Sequence, residues 1–218
     1  MNLSLWLLNT VVLGVVCGSC IFGAAVWAGD HGVGLFNMTR VPAWCAILAT
    51  IPALDLLSYG WHWANHRVDF LWRFHRVHHS DESFTASTGV RFHPGELLLS
   101  LPPRIAVVVL LGTPAVGLLA FEIVFALANL FEHSDADLPR ELEQRIERVM
   151  ITPALHRFHH IRARPDLDHN FGTLFSCWDR LFGTIRWSAS ADRVDTGLPD
   201  GPVNPSLRKL LVLPLDSR

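Results

Sequence analysis

Charged residues are scarce in this chain, and one basic residue type is nearly absent. Only 17% of the 218 residues are Asp, Glu, Lys or Arg, and a single Lys accompanies 17 Arg. Half of the residues are hydrophobic and the mean hydropathy is +0.29. This composition is too apolar for an ordinary soluble domain and indicates a membrane protein. The sequence contains no basic block of the kind that binds nucleic acid, so no such partner is expected.

Cysteine is also scarce, and its spacing does not suggest a disulfide framework. Cys17 and Cys20 form a C-x-x-C motif inside the apolar run VVLGVVCGSCIFGAAVW. A thioredoxin-like redox site would instead lie between a strand and a helix, in polar surroundings. Cys45 and Cys177 have no partner nearby in sequence. We therefore expect reduced thiols that pack as small apolar side chains.

Four long apolar segments predict an all-α integral membrane protein with about four transmembrane helices in two hairpins. Each segment approaches the ~20 residues that a helix needs to cross a bilayer. The segments are residues 2–28, residues 41–59 and the two halves of 95–131 on either side of 112–114. No Lys or Arg precedes the first apolar run, so we expect a retained span rather than a signal peptide. Because the third segment carries Pro102, Pro103 and Arg104, we expect it to be broken or partly re-entrant.

Clusters of histidine follow the second and fourth segments, which puts both clusters on the same side of a membrane that all four segments cross. The connections on the other side contain a single Arg, Arg40, whereas several Arg residues follow the second and fourth segments. By the positive-inside rule we expect a cytoplasmic helical cap that holds the histidines. His31 falls on the opposite side and is not expected to contribute.

The chain divides into three predicted regions. Residues 1–54 form an N-terminal transmembrane hairpin, and residues 55–187 form a metal-binding domain that includes the second hairpin at about 96–131. Residues 188–218 form a C-terminal loop, in which NPSLRKLLVLP predicts a short helix at the membrane interface.

Histidine is in clear excess, with 12 residues in the chain. The pattern His-x-x-His-His occurs in WRFHRVHHSDE and again in ALHRFHHIRA, and YGWHWANHR contains His-x-x-x-His. Residues at i, i+3 and i+4 point to one side of a helix. Together with the single histidine of NLFEHSD, these motifs supply nine candidate metal ligands: His62, His66, His75, His78, His79, His133, His156, His159 and His160.

Neutral imidazole is a common protein ligand for Zn, Cu, Fe and Ni. Nine imidazoles are too many for one ion, and they suit two ions with four or five ligands each. An isolated His near a membrane surface is more often an interfacial polar residue. Two copies of one motif on the same predicted face favour metal binding.

Further polar residues share helix faces with these histidines. Asp55 and Tyr59 lie on the stripe of His62, and Glu122 and Asn129 lie on the stripe of His133. A carboxylate within an apolar span is costly and is a candidate functional residue. We expect Asp55 to orient the imidazoles through hydrogen bonds. For Glu122, such a role and an ordinary hydrogen bond between helices are equally open.

Six motifs follow one another between residues 55 and 184. They are DLLSYGWHWANHR (55–67), LWRFHRVHHS (71–80), TGVRFHPGE (88–96), HRFHHI (156–161), DHNFG (168–172) and WDRLFGT (178–184). Their order resembles that of the fatty acid hydroxylase/sterol desaturase superfamily of integral-membrane di-iron enzymes. Asn129 stands where some members have another His. His93 belongs to the Arg-x-His-Pro motif and is expected either near the ligands or locking the fold, and His169 and Asn170 are additional candidates.

The resemblance implies two Fe ions and O2 as co-substrate, with Zn as an alternative occupant of the histidines. It implies a lipid substrate within the bilayer and electrons from a separate ferredoxin or cytochrome type of donor. No catalytic residue beyond the metal ligands is expected. Hydroxylation and desaturation begin with the same hydrogen abstraction, so the sequence does not separate them.

Three other functions remain open at this point. A carotenoid ring hydroxylase is a related histidine-rich enzyme, although the Arg-x-His-Pro and WDRLFGT motifs favour the first family. A non-catalytic zinc-binding membrane protein would use the same ligands. A metal transporter would need histidines along a path through the spans, whereas here they gather at one end.

Overall fold

The computed structural model describes residues 1–162, 168–187, 195–199, 201 and 205–216. In these residues the fold is all-α, as predicted, with two isolated β-bridges and no β-strand. The helices are α1 Asn2–Leu8, α2 Val15–Asp30, α3 Leu35–Met38, α4 Ala43–Arg67, α5 Asp69–His79, α6 Pro94–Leu111, α7 Ala115–Glu132, α8 Arg140–Ile146, α9 Pro153–His159, α10 Cys177–Leu181 and α11 Leu207–Val212. A π-helical segment, Asn9–Gly14, joins α1 to α2, and 3-10 turns occupy Ala86–Val90 and Leu213–Leu215.

Three helices, α4, α6 and α7, have the length and apolar composition needed to cross a membrane, and the chain is a membrane protein. The second hairpin, predicted at about 96–131, corresponds to α6 and α7. The first predicted span is helical from Asn2 to Asp30 but consists of α1, the π-helical segment and α2. A fourth crossing therefore remains a prediction.

Helix α6 corrects one expectation, because Pro102 and Pro103 do not break it. A proline inside a helix removes one backbone hydrogen bond and disturbs the preceding turn. Here the helix continues for two further turns to Leu111 and ends at Gly112, which adopts the left-handed conformation. Pro94 occupies the first turn, where its fixed φ favours helix initiation.

The two hairpins meet at the end of the molecule away from the histidines. Gly34 precedes α3 and Gly112 follows α6, both with positive φ. A Cβ on Gly34 would collide with the backbone of Gly112, so the close approach of the two turns requires glycine. Between these turns and the histidines, α2, α4, α6 and α7 share one apolar core: Ile21, Ala25, Leu54, Val108, Leu118 and Phe121.

The C-terminal helix α11 is present where the sequence predicts a short helix. Leu210 and Leu213 pack against Val77 of α5 and Leu5 of α1, so the segment covers the outer side of the helix that carries one histidine cluster. Much of the predicted loop before α11, at residues 188–194, 200 and 202–204, lies outside the described residues.

Candidate metal centre

The nine predicted histidines come together in two groups. Within each group, one ligand nitrogen from every residue lies within 4.8 Å of the others. The first group, here called centre A, contains His62, His66, His75, His79 and His159. The second group, centre B, contains His78, His133, His156 and His160.

Each His-x-x-His-His motif contributes to both centres. His75 and His79 face centre A, whereas His78 faces centre B. At 100° per residue, positions i and i+4 are 40° apart, while adjacent positions are 100° apart. The i, i+4 pair of each motif therefore shares one centre, and the residue between them reaches the other. In the second motif, the pair His156 and His160 belongs to centre B, and His159 belongs to centre A.

The nitrogen atoms of centre B converge. Nε2 of His133 lies 3.1 Å from Nε2 of His78 and 2.9 Å from Nε2 of His156. Nε2 of His160 lies 3.2 Å from Nε2 of His156. Two ligands at ~2.1 Å from one ion and at right angles to each other are separated by ~3.0 Å. The spacing therefore fits nitrogen ligands of a single ion.

At centre A, several buried ring nitrogens have no hydrogen-bond partner among the described residues. Nε2 of His62, His75 and His159 is buried and makes no hydrogen bond to the part of the chain that the structure describes. The same holds for both ring nitrogens of His66 and His79. Buried polar atoms are normally paired because leaving one unpaired is costly. Five imidazoles with free nitrogens facing one another therefore fit a bound metal ion.

Burial favours the neutral form of six of these imidazoles. Desolvation penalises the imidazolium form and lowers the pKa of His133 to about 4 and that of His159 to about 3. The pKa values of His78, His79, His156 and His160 are also lowered, first by burial and then by neighbouring histidines. Neutral imidazole is the form that binds a metal.

Nδ1 hydrogen bonds orient several rings so that Nε2 faces the centre. His62 Nδ1 lies 2.9 Å from the Phe171 carbonyl oxygen, and His159 Nδ1 lies 2.6 Å from the His169 carbonyl oxygen. His133 Nδ1 lies 2.8 Å from the carbonyl oxygen of Asn129. A carbonyl only accepts, so each Nδ1 carries the proton and each Nε2 is free to bind a metal.

Carboxylates beside the ligands were not anticipated as site residues. Glu96 is buried, and its Oε1 accepts from His75 Nδ1 at 2.9 Å and from Asn65 Nδ2 at 3.1 Å. Glu132 lies 3.7 Å from the Nδ1 atoms of His133 and His156. Glu96 is the acidic residue in the first turn of an otherwise apolar helix and follows His93 of the Arg-x-His-Pro motif. This position is the sequence signal that could have identified it.

Asp168 approaches His66, with 3.5 Å between Oδ1 and Nδ1. It also pairs with Arg67 at 3.4 Å. Asp168 is the first residue of the DHNFG motif and directly precedes His169. This position is the sequence signal that could have identified it as a neighbour of the histidines.

Asp55 does not contact an imidazole, contrary to expectation. Its carboxylate accepts from the backbone N–H groups of Leu174 and Phe175 and from Trp178 Nε1, at 2.8–3.2 Å. The residue lies too far down the helix to reach the rings. It instead anchors the segment that supplies the carbonyl of Phe171.

The same segment is held by a second set of contacts. Asp179 accepts from the backbone N–H groups of Phe171 and Gly172, both at 2.8 Å. Tyr59 reaches it indirectly, since its hydroxyl bonds Thr184 Oγ1 at 2.8 Å and Thr184 bonds Asp179 at 2.7 Å. The DHNFG and WDRLFGT motifs therefore form one hydrogen-bonded unit.

Asn170 serves this unit rather than a centre. It adopts a positive φ of 57°, and its side-chain amide bonds the backbone of Leu155 and Arg186. His169 contributes its carbonyl to His159, while its ring belongs to neither centre.

Three remaining candidates are held elsewhere. The Asn129 amide donates to the Gly89 carbonyl at 2.6 Å. His93 caps α6 through Gly95 N–H and contacts the Leu211 carbonyl at 3.1 Å, which fits a role in locking the fold. Glu122 pairs with Arg104 across α6 and α7, the ordinary hydrogen bond between helices. His31 stacks on Trp27, away from both centres.

A cavity of about 150 Å³ opens beside both centres. It extends between α4, α6 and α7, and its walls include His62 and His75 of centre A. His78, His133 and His156 of centre B line it as well. Its deeper walls are largely apolar: Leu57, Leu97, Pro103, Phe121 and Phe125. An apolar group in this cavity would touch the histidines directly.

Comparison with known proteins gives a family match over more than half of the chain. The fatty acid hydroxylase family model matches residues 47–184. Alkylglycerol monooxygenase of Danio rerio is 33% identical over 79% of this chain and 36% of its own length. Ornithine lipid hydroxylase OlsE of Rhizobium tropici is 28% identical over 71% of this chain and 47% of its own length. Cholesterol 25-hydroxylase of Rattus norvegicus is 26% identical over 69% of this chain and 50% of its own length.

The chain thus spans between about a third and a half of the length of these relatives, and all three are named as enzymes that oxidise lipids. No solved structure matches the chain significantly. The matched residues contain all nine histidines of the two centres and both ends of the segment that orients them. The chain belongs to the fatty acid hydroxylase family.

Proposed function

We propose that this protein is a membrane-bound di-iron enzyme that hydroxylates a lipid. The overall reaction is R–H + O2 + 2 e⁻ + 2 H⁺ → R–OH + H2O, with the electrons taken from a separate ferredoxin or cytochrome type of donor. One observation carries the proposal: nine imidazoles form two groups at the end of an apolar cavity. The names of the relatives favour hydroxylation over desaturation.

In this proposal, His62, His66, His75, His79 and His159 hold one iron and the four histidines of centre B hold the other. Bound iron would supply O2 activation and hydrogen abstraction from the lipid. Glu96 and the carbonyls of Phe171, His169 and Asn129 keep the ligand rings in their binding orientation. The apolar walls of the cavity exclude water and bring the chain of the lipid against the histidines.

The histidines would lie on the cytoplasmic side, where a soluble electron donor has access. The Arg-rich segments after α4 and α7 support this orientation. A cysteine introduced at exposed Glu82, in a background with the native cysteines replaced by serine, tests it. A membrane-impermeant maleimide should label it in inverted vesicles and not in right-side-out vesicles.

The metal content of gently purified protein from iron-replete cells tests the di-iron assignment. We expect about two irons per chain, together with conversion of an added lipid to its hydroxylated product when a reductant and O2 are present. The product should incorporate oxygen from labelled O2 and not from labelled water.

Zinc alone, with no iron bound even after anaerobic reconstitution, would contradict the oxidative function. The two centres would then be structural or hydrolytic sites. Iron binding with a desaturated product would retain the centres and change only the outcome of the reaction.

A further inference from the structure

The reaction cavity is too small to hold a lipid. Its volume of about 150 Å³ equals that of an engineered protein cavity that accommodates benzene. Only a few carbons of a substrate fit next to the histidines, so the remainder must lie outside this cavity.

A second, larger cleft adjoins the cavity. Its volume is about 370 Å³, and it lies between α6 and the N-terminal helical path. Ile21 and Phe22 form one wall and Leu101 forms the other. Four residues line both spaces, namely Phe92, Leu97, Ser100 and Arg104. The two spaces are therefore separated by a single layer of side chains.

This dividing layer follows α6 and ends at the metal ligands. Leu97, Ser100 and Arg104 are spaced by three and four residues, so they form one stripe on the helix. Phe92 stacks on His78 with ring centroids 4.6 Å apart. A molecule that fills both spaces must bend around this stripe. A flexible chain can bend in this way, whereas a rigid fused-ring system cannot.

The charged pair in the layer is compatible with a hydrocarbon neighbour. Arg104 lines both spaces and Glu122 lines the cleft, and the two side chains are paired. An unpaired charge within a span would disfavour an apolar ligand, whereas a paired charge is much better tolerated.

Building on the proposed function, we propose that the cavity and the cleft together form one bent substrate tunnel for a flexible acyl or alkyl chain, which excludes a rigid sterol. The reacting carbon lies in the cavity beside the histidines. The distal chain passes the stripe of α6 and lies in the cleft against α2.

Two glycines of α2 provide a matched pair of variants. Gly18 lines the cleft, whereas Gly23 lies on an exposed part of the same helix. A Cβ at either position meets no other atom within 4 Å, so both accept a side chain. Gly18→Phe should fill the cleft, and Gly23→Phe should leave it open. Leu101→Trp narrows the cleft from the opposite wall and guards against a folding defect in Gly18→Phe.

The experiment uses photo-crosslinking of the full chain in nanodiscs. The probe is a palmitic acid analogue with a diazirine near its methyl end, and labelled peptides are identified by mass spectrometry. We expect labels on α2 around Ile21 and on α6 around Leu101. Gly18→Phe and Leu101→Trp should lose these labels, Gly23→Phe should keep them, and excess palmitic acid should compete while cholesterol does not.

Labels spread over the lipid-facing helices, or unchanged by Gly18→Phe and Leu101→Trp, would overturn the tunnel. Competition by cholesterol would overturn the exclusion of sterols. Crosslinking requires neither iron nor turnover, so its outcome is independent of the metal analysis. A labelled tunnel in a protein without iron would refute the hydroxylase and leave the chain-binding site standing.

Discussion

Asp179 and Phe171 are joined by a hydrogen bond of 2.8 Å from the backbone N–H of Phe171 to the carboxylate. The carbonyl oxygen of the same Phe171 lies 2.9 Å from Nδ1 of His62. A carboxylate outside the histidine motifs therefore sets the position of a candidate ligand through a single residue, Phe171. Asp55 supports the same segment from α4 through Leu174, Phe175 and Trp178.

Asp179→Asn should weaken metal binding without touching a ligand. The amide offers one acceptor oxygen to the three donors that Asp179 now receives, so a buried donor is left unpaired at a cost of ~1–3 kcal/mol. We expect lower metal occupancy and a lower unfolding temperature in detergent. Asp137→Asn alters an exposed carboxylate with 70% side-chain exposure and should leave occupancy unchanged. Equal occupancy in the two variants would contradict this role of Asp179.

Glu96→Gln should lower affinity for the metal at centre A. The glutamate accepts a hydrogen bond from His75 Nδ1. Glutamine keeps an acceptor oxygen but loses the negative charge that makes the imidazole a stronger ligand, and changing such a partner lowers metal affinity roughly 10–100-fold. Chelator titration of the purified protein, read as metal released, measures the change. Glu82→Gln removes a partly exposed carboxylate paired with Arg162 and serves as the control. Release at the same chelator concentration in both variants would argue against an orienting role.

His78→Ala and His159→Ala should separate the two centres. His78 belongs to centre B and His159 to centre A, so each variant should lose about one metal and all hydroxylation activity while still inserting into membranes. His31→Ala should retain metal and activity. Full activity in either centre variant would refute the di-metal assignment.

Acid should destabilise the metal-free protein. In the folded state the pKa of His133 is about 4 and that of His159 about 3, whereas the unfolded chain takes up protons near ~6.5. Below that value the unfolded state binds more protons, so the free energy of unfolding falls as the pH decreases towards the folded pKa values. The unfolding temperature should be level between pH 7.5 and 8.5 and should drop between pH 6 and 4. A level profile through the acidic range would contradict the buried, neutral histidines.

Gly89→Ala should disturb centre B. A Cβ at this position would lie 2.9 Å from Asn129 Nδ2 and 3.0 Å from His133 Nδ1. We expect reduced metal occupancy and a lower unfolding temperature. Gly60→Ala, whose Cβ meets no atom within 4 Å, should stabilise α4 by roughly 0.5–1 kcal/mol. Both variants add a single methyl group, so a loss confined to Gly89→Ala assigns the effect to the crowding of His133.

The sequence was sufficient to identify the nine histidines and the second hairpin, because both depend on local spacing. It did not predict that the pair His75 and His79 would join centre A while the pair His156 and His160 joins centre B, since that depends on how the helices pack together. The partners Glu96 and Asp168 were missed because their contacts with His75 and His66 join distant segments. The helix stripe that Asp55 shares with His62 predicts a contact between the carboxylate and the imidazoles. Helix spacing does not predict that the segment at Leu174 and Phe175 packs against Asp55 instead.

The Arg104–Glu122 pair also has a consequence for biogenesis. A single charge at the centre of a span costs ~2.5–3.5 kcal/mol on insertion, so α6 or α7 alone would enter the bilayer with an uncompensated charge. The two helices are separated by a turn of three residues, Gly112, Thr113 and Pro114. Pairing removes much of that penalty when both helices leave the translocon together. The same ion pair that borders the cavity and the cleft therefore favours insertion of α6 and α7 as one hairpin.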